Sequence, residues 1–155
     1  MKQMTLTALA LFLLLGALTG CGAAQPKTID LQAFFDEEAE KYELGGTVPL
    51  EGEMLDAFYP GLSALDTPQR VAYTPMISAS VSEYVFLECA DRATAEKAEA
   101  ILRRRVEDQA SGGAWYPESM AAWSRAEIVV RDNYVLLIAA DGIADKIAAD
   151  FEKQF

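Results

Sequence analysis

The sequence contains no histidine, the side chain that proteins use most often as a general base and commonly as a metal ligand. It also lacks the S-x-x-K, G-x-S-x-G, phosphate-loop and dinucleotide-binding patterns that indicate familiar catalytic and nucleotide sites. Hydrolysis by carboxylates alone needs two acids, and among 24 acidic residues the spacing distinguishes no pair. We therefore expect no catalytic residue, no metal and no cofactor, with a carboxylate-dependent hydrolase as the less favoured alternative.

Cysteine is scarce, and one of the two cysteines has an informative position. Cys21 ends the segment Leu18-Thr19-Gly20-Cys21, which closes an apolar run that begins at Met4. The run is shorter than the ~20 residues that span a membrane, and small residues before a cysteine are typical of the lipobox of bacterial lipoproteins. We predict that residues 1–20 are a signal peptide, that Cys21 carries a diacylglycerol anchor, that residues 21–28 are a tether, and that residues 29–155 are a single α+β domain.

The other cysteine, Cys89, then has no partner for an intramolecular disulfide. It lies at the end of the apolar stretch Tyr84-Val85-Phe86-Leu87-Glu88-Cys89, with no histidine in the chain to activate it. We predict a buried, unreactive thiol.

Basic residues are also few. Residues 1–20 hold a single charged residue, Lys2, so the remaining chain has 24 acidic and 12 basic residues and a formal net charge of −12. Nucleic acid would repel such a chain, and no polybasic segment holds it to anionic lipid. We therefore expect attachment to the extracytoplasmic face of the cell membrane through the two acyl chains on Cys21 alone.

Helical spacing of apolar residues predicts a helix from Asp30 to Tyr42 and a short second helix from Gly52 to Tyr59. The first helix carries a run of acids that lacks the pattern of a calcium loop, so we expect a solvated face: Asp36, Glu37, Glu38, Glu40 and Glu43.

The rest of the chain reads as strand, turn, strand and helix, repeated once. The predicted strands cover residues 70–79, 83–89, 126–131 and 134–140, and the predicted helices cover residues 91–109 and 141–155. Pro75 favours an edge or bulged position for the first strand. We predict an α+β two-layer sandwich, in which a four-stranded, mainly antiparallel sheet carries helices on one face.

Two short segments are candidates for a site. Arg103-Arg104-Arg105 has acids four residues away, Glu99, Glu107 and Asp108, so we expect pairing on an exposed helix face rather than an anion site. After Ser111-Gly112-Gly113 comes an irregular segment with Trp115, Tyr116 and Trp123, which are our candidate binding residues. The alternative is that these rings cap the core.

Several short motifs occur in an order that resembles a known family. They are the lipobox, Leu55-Asp56-x-Phe58-Tyr59, Ser78-Ala79-Ser80-Val81-Ser82-Glu83-Tyr84-Val85, Tyr116-Pro117-Glu118 and Asp132-Asn133-Tyr134-Val135. The chain resembles the small lipoproteins of clostridial-type bacteria grouped as domain of unknown function 4358, over most of residues 28–155. Asp132 stands where that pattern has a glycine. The resemblance implies a lipoprotein and brings no activity with it.

Together these features predict an extracytoplasmic lipoprotein that acts as a non-catalytic module. It would bind either an envelope protein, through an exposed strand edge at residues 70–79, or a small or wall-derived ligand, through residues 115–123.

Overall fold

The computed structural model describes residues 28–155, so the predicted signal peptide and the Cys21 anchor lie outside the described residues. In chain order, the elements of the described part are α1 (Leu31–Lys41), β1 (Thr47–Pro49), α2 (Gly52–Phe58), β2 (Gln69–Pro75), β3 (Ser82–Glu88), α3 (Arg92–Asp108), a kinked turn (Gln109–Gly113), α4 (Pro117–Trp123), β4 (Glu127–Arg131), β5 (Tyr134–Ala140) and α5 (Ala144–Glu152). The mixed α+β character is as predicted.

The strands form one open antiparallel sheet in the order β1-β2-β3-β5-β4. The predicted count of four strands is wrong, because β1 is only three residues long and shows no period-two pattern. β1 pairs with β2, with Val48 opposite Thr74. The predicted free edge at residues 70–79 is therefore wrong as well. Pro75 is tolerated because it is the last residue of its strand.

Helices cover both faces of the sheet, so the prediction of helices on one face is also wrong. On one face, Phe86 and Ile138 pack with Phe34 of α1 and Phe151 of α5. On the other face, the sheet packs against α2, α3 and α4 through Leu55, Leu102, Trp123, Val85 and Leu137. The reason lies in β5, which is buried at all seven positions instead of alternating between apolar and polar residues.

The helix starts agree with the sequence in part. Asp91 caps α3 as predicted, because its side chain accepts from the backbone N–H of Thr94 at 2.7 Å. The last helix begins at Ala144 and not at Asp141, whose carboxylate pairs with Arg125 at 2.6 Å. The predicted solvated face of α1 contains one exception, Glu38, which is buried because it follows Phe34 by one helical turn.

Two further sequence features have clear structural counterparts. Cys89 is fully buried, as predicted. Asp132, in the predicted tight turn, has a φ of +53°, a left-handed conformation that glycine adopts without strain. None of the helices described in residues 28–155 has the length and apolar character that a membrane crossing requires.

Candidate functional site

A cavity of about 380 Å³ lies at one end of the sheet, between the β2–β3 hairpin and the C-terminal end of α3. We call it the Arg105 pocket and define it by six of its lining residues: Ser78, Ser80, Glu83, Arg105, Gln109 and Trp115. Its volume falls within the range of roughly 300–1,000 Å³ that is usual for ligand sites.

The floor of the Arg105 pocket is a buried ion pair. Arg105 donates through Nε and Nη2 to the two carboxylate oxygens of Glu83, at 3.0 and 3.1 Å. The same carboxylate accepts from the hydroxyl of Tyr59 at 2.5 Å and from Oγ1 of Thr74 at 3.0 Å. The side chain of Glu83 is 2% exposed, so these four hydrogen bonds replace the water that the carboxylate has lost.

The electrostatics of the floor follow from this arrangement. Burial and the neighbouring Glu83 carboxylate raise the pKa of the Tyr59 phenol well above its usual value. Burial opposes the charge on Arg105, but hydrogen bonds and attraction from Glu83 outweigh that effect, and the pKa of the guanidinium is raised. Arg105 therefore remains a cation and Tyr59 remains a neutral donor at any ordinary pH.

Aromatic rings hold the guanidinium of Arg105 in place. Its central carbon lies 4.3 Å from the ring centre of Phe58 and 5.3 Å from that of Trp123. Both distances are within the ~6 Å that gives attraction between a cation and an aromatic face. The floor of the pocket is thus rigid, since packing and hydrogen bonds both fix the plane of the guanidinium.

The structure brings two of the three candidate binding residues, Trp115 and Trp123, to the Arg105 pocket. Trp115 is 91% exposed at the rim of the pocket, whereas Trp123 is buried against Arg105 and also lines the cavity. Tyr116 is half exposed and is not among the lining residues. The segment that we predicted to be irregular also contains α4, which begins at Pro117, a residue well suited to a first helical position.

The turn before Trp115 depends on glycine. Gly112 has a φ of +131°, which side-chain-bearing residues rarely adopt. A Cβ atom on Gly113 would lie 2.8 Å from the backbone oxygen of Asp108. The two glycines therefore let the chain turn closely against the end of α3 and present Trp115 at the pocket.

Sequence reasoning missed the ion pair at the floor. It placed Arg105 on an exposed face, where Arg103 does pair with Glu99 at 2.6 Å. Two features of the spacing indicate burial of these side chains instead. Arg105 follows the buried Leu102 by three residues, and Glu83 shares its sheet face with the buried Val85.

Other candidate chemistry in the described residues is limited. Within residues 28–155, no three acids or cysteines come together as a metal site would require. Burial raises the pKa of the Cys89 thiol, which disfavours the reactive thiolate.

The sequence model of the family described as a domain of unknown function (DUF4358) matches residues 40–140, well over half of the chain. The chain belongs to this family. The matched range includes all five strands and every residue that defines the Arg105 pocket. No curated protein and no solved structure matches the chain.

Proposed function

We propose that the chain is a lipid-anchored, extracytoplasmic lipoprotein that acts as a non-catalytic binding module, and that the Arg105 pocket is its binding site. The observation that carries the proposal is the position of Trp115, 91% exposed at the rim of a cavity with a rigid polar floor. A large apolar ring in water next to a concave site with a few fixed polar groups is typical of recognition surfaces.

The contacts of the pocket favour binding over catalysis. Each oxygen of Glu83 already accepts two hydrogen bonds, so this carboxylate has no free position from which to remove a proton. Ser80 and Ser82 contact each other at 3.4 Å, and within residues 28–155 neither hydroxyl has a hydrogen bond to a carboxylate or an amine. A nucleophilic serine needs such a base.

The anchor is tested by the state of Cys21. Mass spectrometry of the native protein should find an N-terminal Cys21 that carries diacylglycerol, and Cys21→Ala should leave residues 1–20 attached. Mature wild-type protein that retains residues 1–20 would contradict this part of the proposal.

The binding site is tested by crosslinking in native membranes followed by recovery of the protein. Wild type should recover a ligand or partner that Trp115→Ala loses. Met54→Ala is a matched control, because Met54 is also a large exposed apolar residue and is not among the residues that line the pocket. Equal recovery by all three proteins would contradict the Arg105 pocket as the site.

A second candidate, a protein partner, is favoured by one observation. The β2–β3 hairpin that forms a wall of the pocket also carries Met76 and Ile77, which are 67% and 65% exposed. Isolated apolar residues on a surface are common, but two adjacent ones on a hairpin that lines the pocket enlarge the apolar area that a partner could cover. A protein in the recovered material that is lost with Ile77→Ser, while Trp115→Ala retains it, would favour this candidate.

A further inference from the structure

We infer that the Arg105 pocket takes an uncharged saccharide, an inference that rests on the proposed binding function. The first argument is the charge of the pocket. Glu83 and Arg105 are the charged side chains that line it, and they neutralise each other. An anionic ligand would have to compete with Glu83 for Arg105, and a cationic one with Arg105 for Glu83, so a neutral ligand fits best.

The second argument is the kind of hydrogen bonds that the pocket offers. Arg105 uses Nε and Nη2 for Glu83. The hydroxyls of Ser78 and Ser80 and the amide of Gln109 also line the pocket. Hydroxyls and amides both donate and accept, which suits the hydroxyls of a sugar, since those also do both.

The third argument is the shape of the ligand that these groups imply. The exposed indole of Trp115 offers a flat apolar surface beside polar groups. A pyranose ring presents C–H groups on one face and hydroxyls around its edge, so it can cover the indole and reach the floor together. An extended peptide fits less well, because strand addition needs a free sheet edge, and the hairpin here has paired strands on both sides.

The experiment titrates purified full-length protein, in a detergent without a sugar head group, with neutral trisaccharides: tri-N-acetylchitotriose, maltotriose and cellotriose. Tryptophan fluorescence and calorimetry are the readouts. We expect a saturable blue shift with at least one trisaccharide, since Trp115 leaves water when covered. Trialanine and adenosine serve as a peptide and a nucleoside probe.

Three variants connect the signal to the pocket. Trp115→Ala should abolish the blue shift, and Met54→Ala should leave it unchanged. Ser80→Ala, at an exposed position where folding is not at risk, should weaken binding about three- to tenfold, the effect of losing one hydrogen bond. A blue shift that persists in Trp115→Ala, or that comes from trialanine or adenosine instead, would overturn the inference.

The outcome also separates this inference from the proposed function. If no trisaccharide binds while recovery from native membranes still depends on Trp115, the saccharide class is wrong and the pocket remains the binding site. If that dependence on Trp115 is absent too, the proposed function fails with it.

Discussion

At the scale of single residues, two carboxylates between α1 and α5 have opposite environments. Asp150 accepts from Lys41, from the Tyr42 hydroxyl at 2.7 Å and from Lys153 at 2.7 Å. The hydrogen bonds from Lys153, Lys41 and Tyr42 hold its pKa well below the usual range. Glu38 is buried next to it, its Oε2 has no hydrogen bond within the described residues, and burial and Asp150 raise its pKa.

This difference predicts that Glu38→Gln stabilises the protein at pH 7. A carboxyl group whose pKa is raised by folding favours the folded state below its unfolded pKa, near 4.5, and that contribution is lost as the pH rises through the folded pKa. Urea unfolding should therefore show a higher midpoint for Glu38→Gln at pH 7 and a smaller gain at pH 4. A lower midpoint at pH 7 would mean that the contact with Lys41 outweighs the cost of burial.

Asp150 should act in the opposite direction. Its lowered pKa contributes stability that is complete above its unfolded pKa and is lost as the pH falls towards the folded pKa. The stability of wild type should therefore fall as the pH is lowered. The stability of Asp150→Asn should fall less, because this variant already lacks the contribution at pH 7. Unchanged stability of Asp150→Asn at pH 7 would contradict the prediction.

The ion pair in the pocket predicts a much larger effect. Arg105→Ala leaves Glu83 buried without its counter-charge, and we expect the free energy of unfolding to fall by about 3–5 kcal/mol. Arg103→Ala is the matched control on the same helix, because its pair with Glu99 is exposed and should contribute less than about 1 kcal/mol. Urea unfolding measures the loss in each variant. Equal losses would show that the buried pair contributes no more to stability than the exposed pair.

At the scale of elements, the two tryptophans near the ends of α4 should contribute very differently to stability. Trp123→Ala removes a buried ring from the core and should lower the free energy of unfolding by about 3–5 kcal/mol. Trp115→Ala removes a ring that is 91% exposed and should change it by less than about 0.5 kcal/mol. Thermal unfolding of both variants checks this, and a large loss in Trp115→Ala would make that ring structural.

The sequence predicted elements best where their periodicity is long. α3 and the long strands β3 and β5 were found because their apolar spacing extends over many residues. β1 was missed because three residues carry no period, and α4 was missed because its seven residues follow a break. The layer arrangement was wrong because a strand that is apolar at every position is buried on both faces, which a two-layer reading does not allow.

The candidate site was found in part for similar reasons. Trp115 stood out because it follows a glycine pair and precedes a proline in a segment without periodicity. The ion pair of Glu83 and Arg105 was not predicted, because local sequence patterns place Arg105 on a charged helix face and Glu83 at the start of a strand. Their burial depends on contact between β3 and α3 across 22 residues of sequence, which only the folded chain brings together.

At the scale of the whole molecule, the start of the described chain and the Arg105 pocket lie at opposite ends of the sheet. The backbone N–H of Ile29 donates to the Tyr134 hydroxyl, and that of Leu31 donates to Gln69, at the first residues of β5 and β2. The pocket lies at the last residues of β2 and the first of β3. Seven strand residues separate these ends by about 20 Å.

If Cys21 anchors the chain, the start of the domain lies within about 25 Å of the membrane, because residues 22–28 extend no further. We predict that the pocket, at the opposite end of the sheet, faces away from the membrane. A maleimide on a bulky polymer should then label Ser78→Cys in protoplasts several-fold faster than Asp66→Cys. Both residues are exposed, but Asp66 is held at the tether end by the bond from Ala90 N–H to its backbone oxygen. Cys89 gives little background because it is buried. Detergent should equalise the two rates, and equal rates already in protoplasts would contradict an outward-facing pocket.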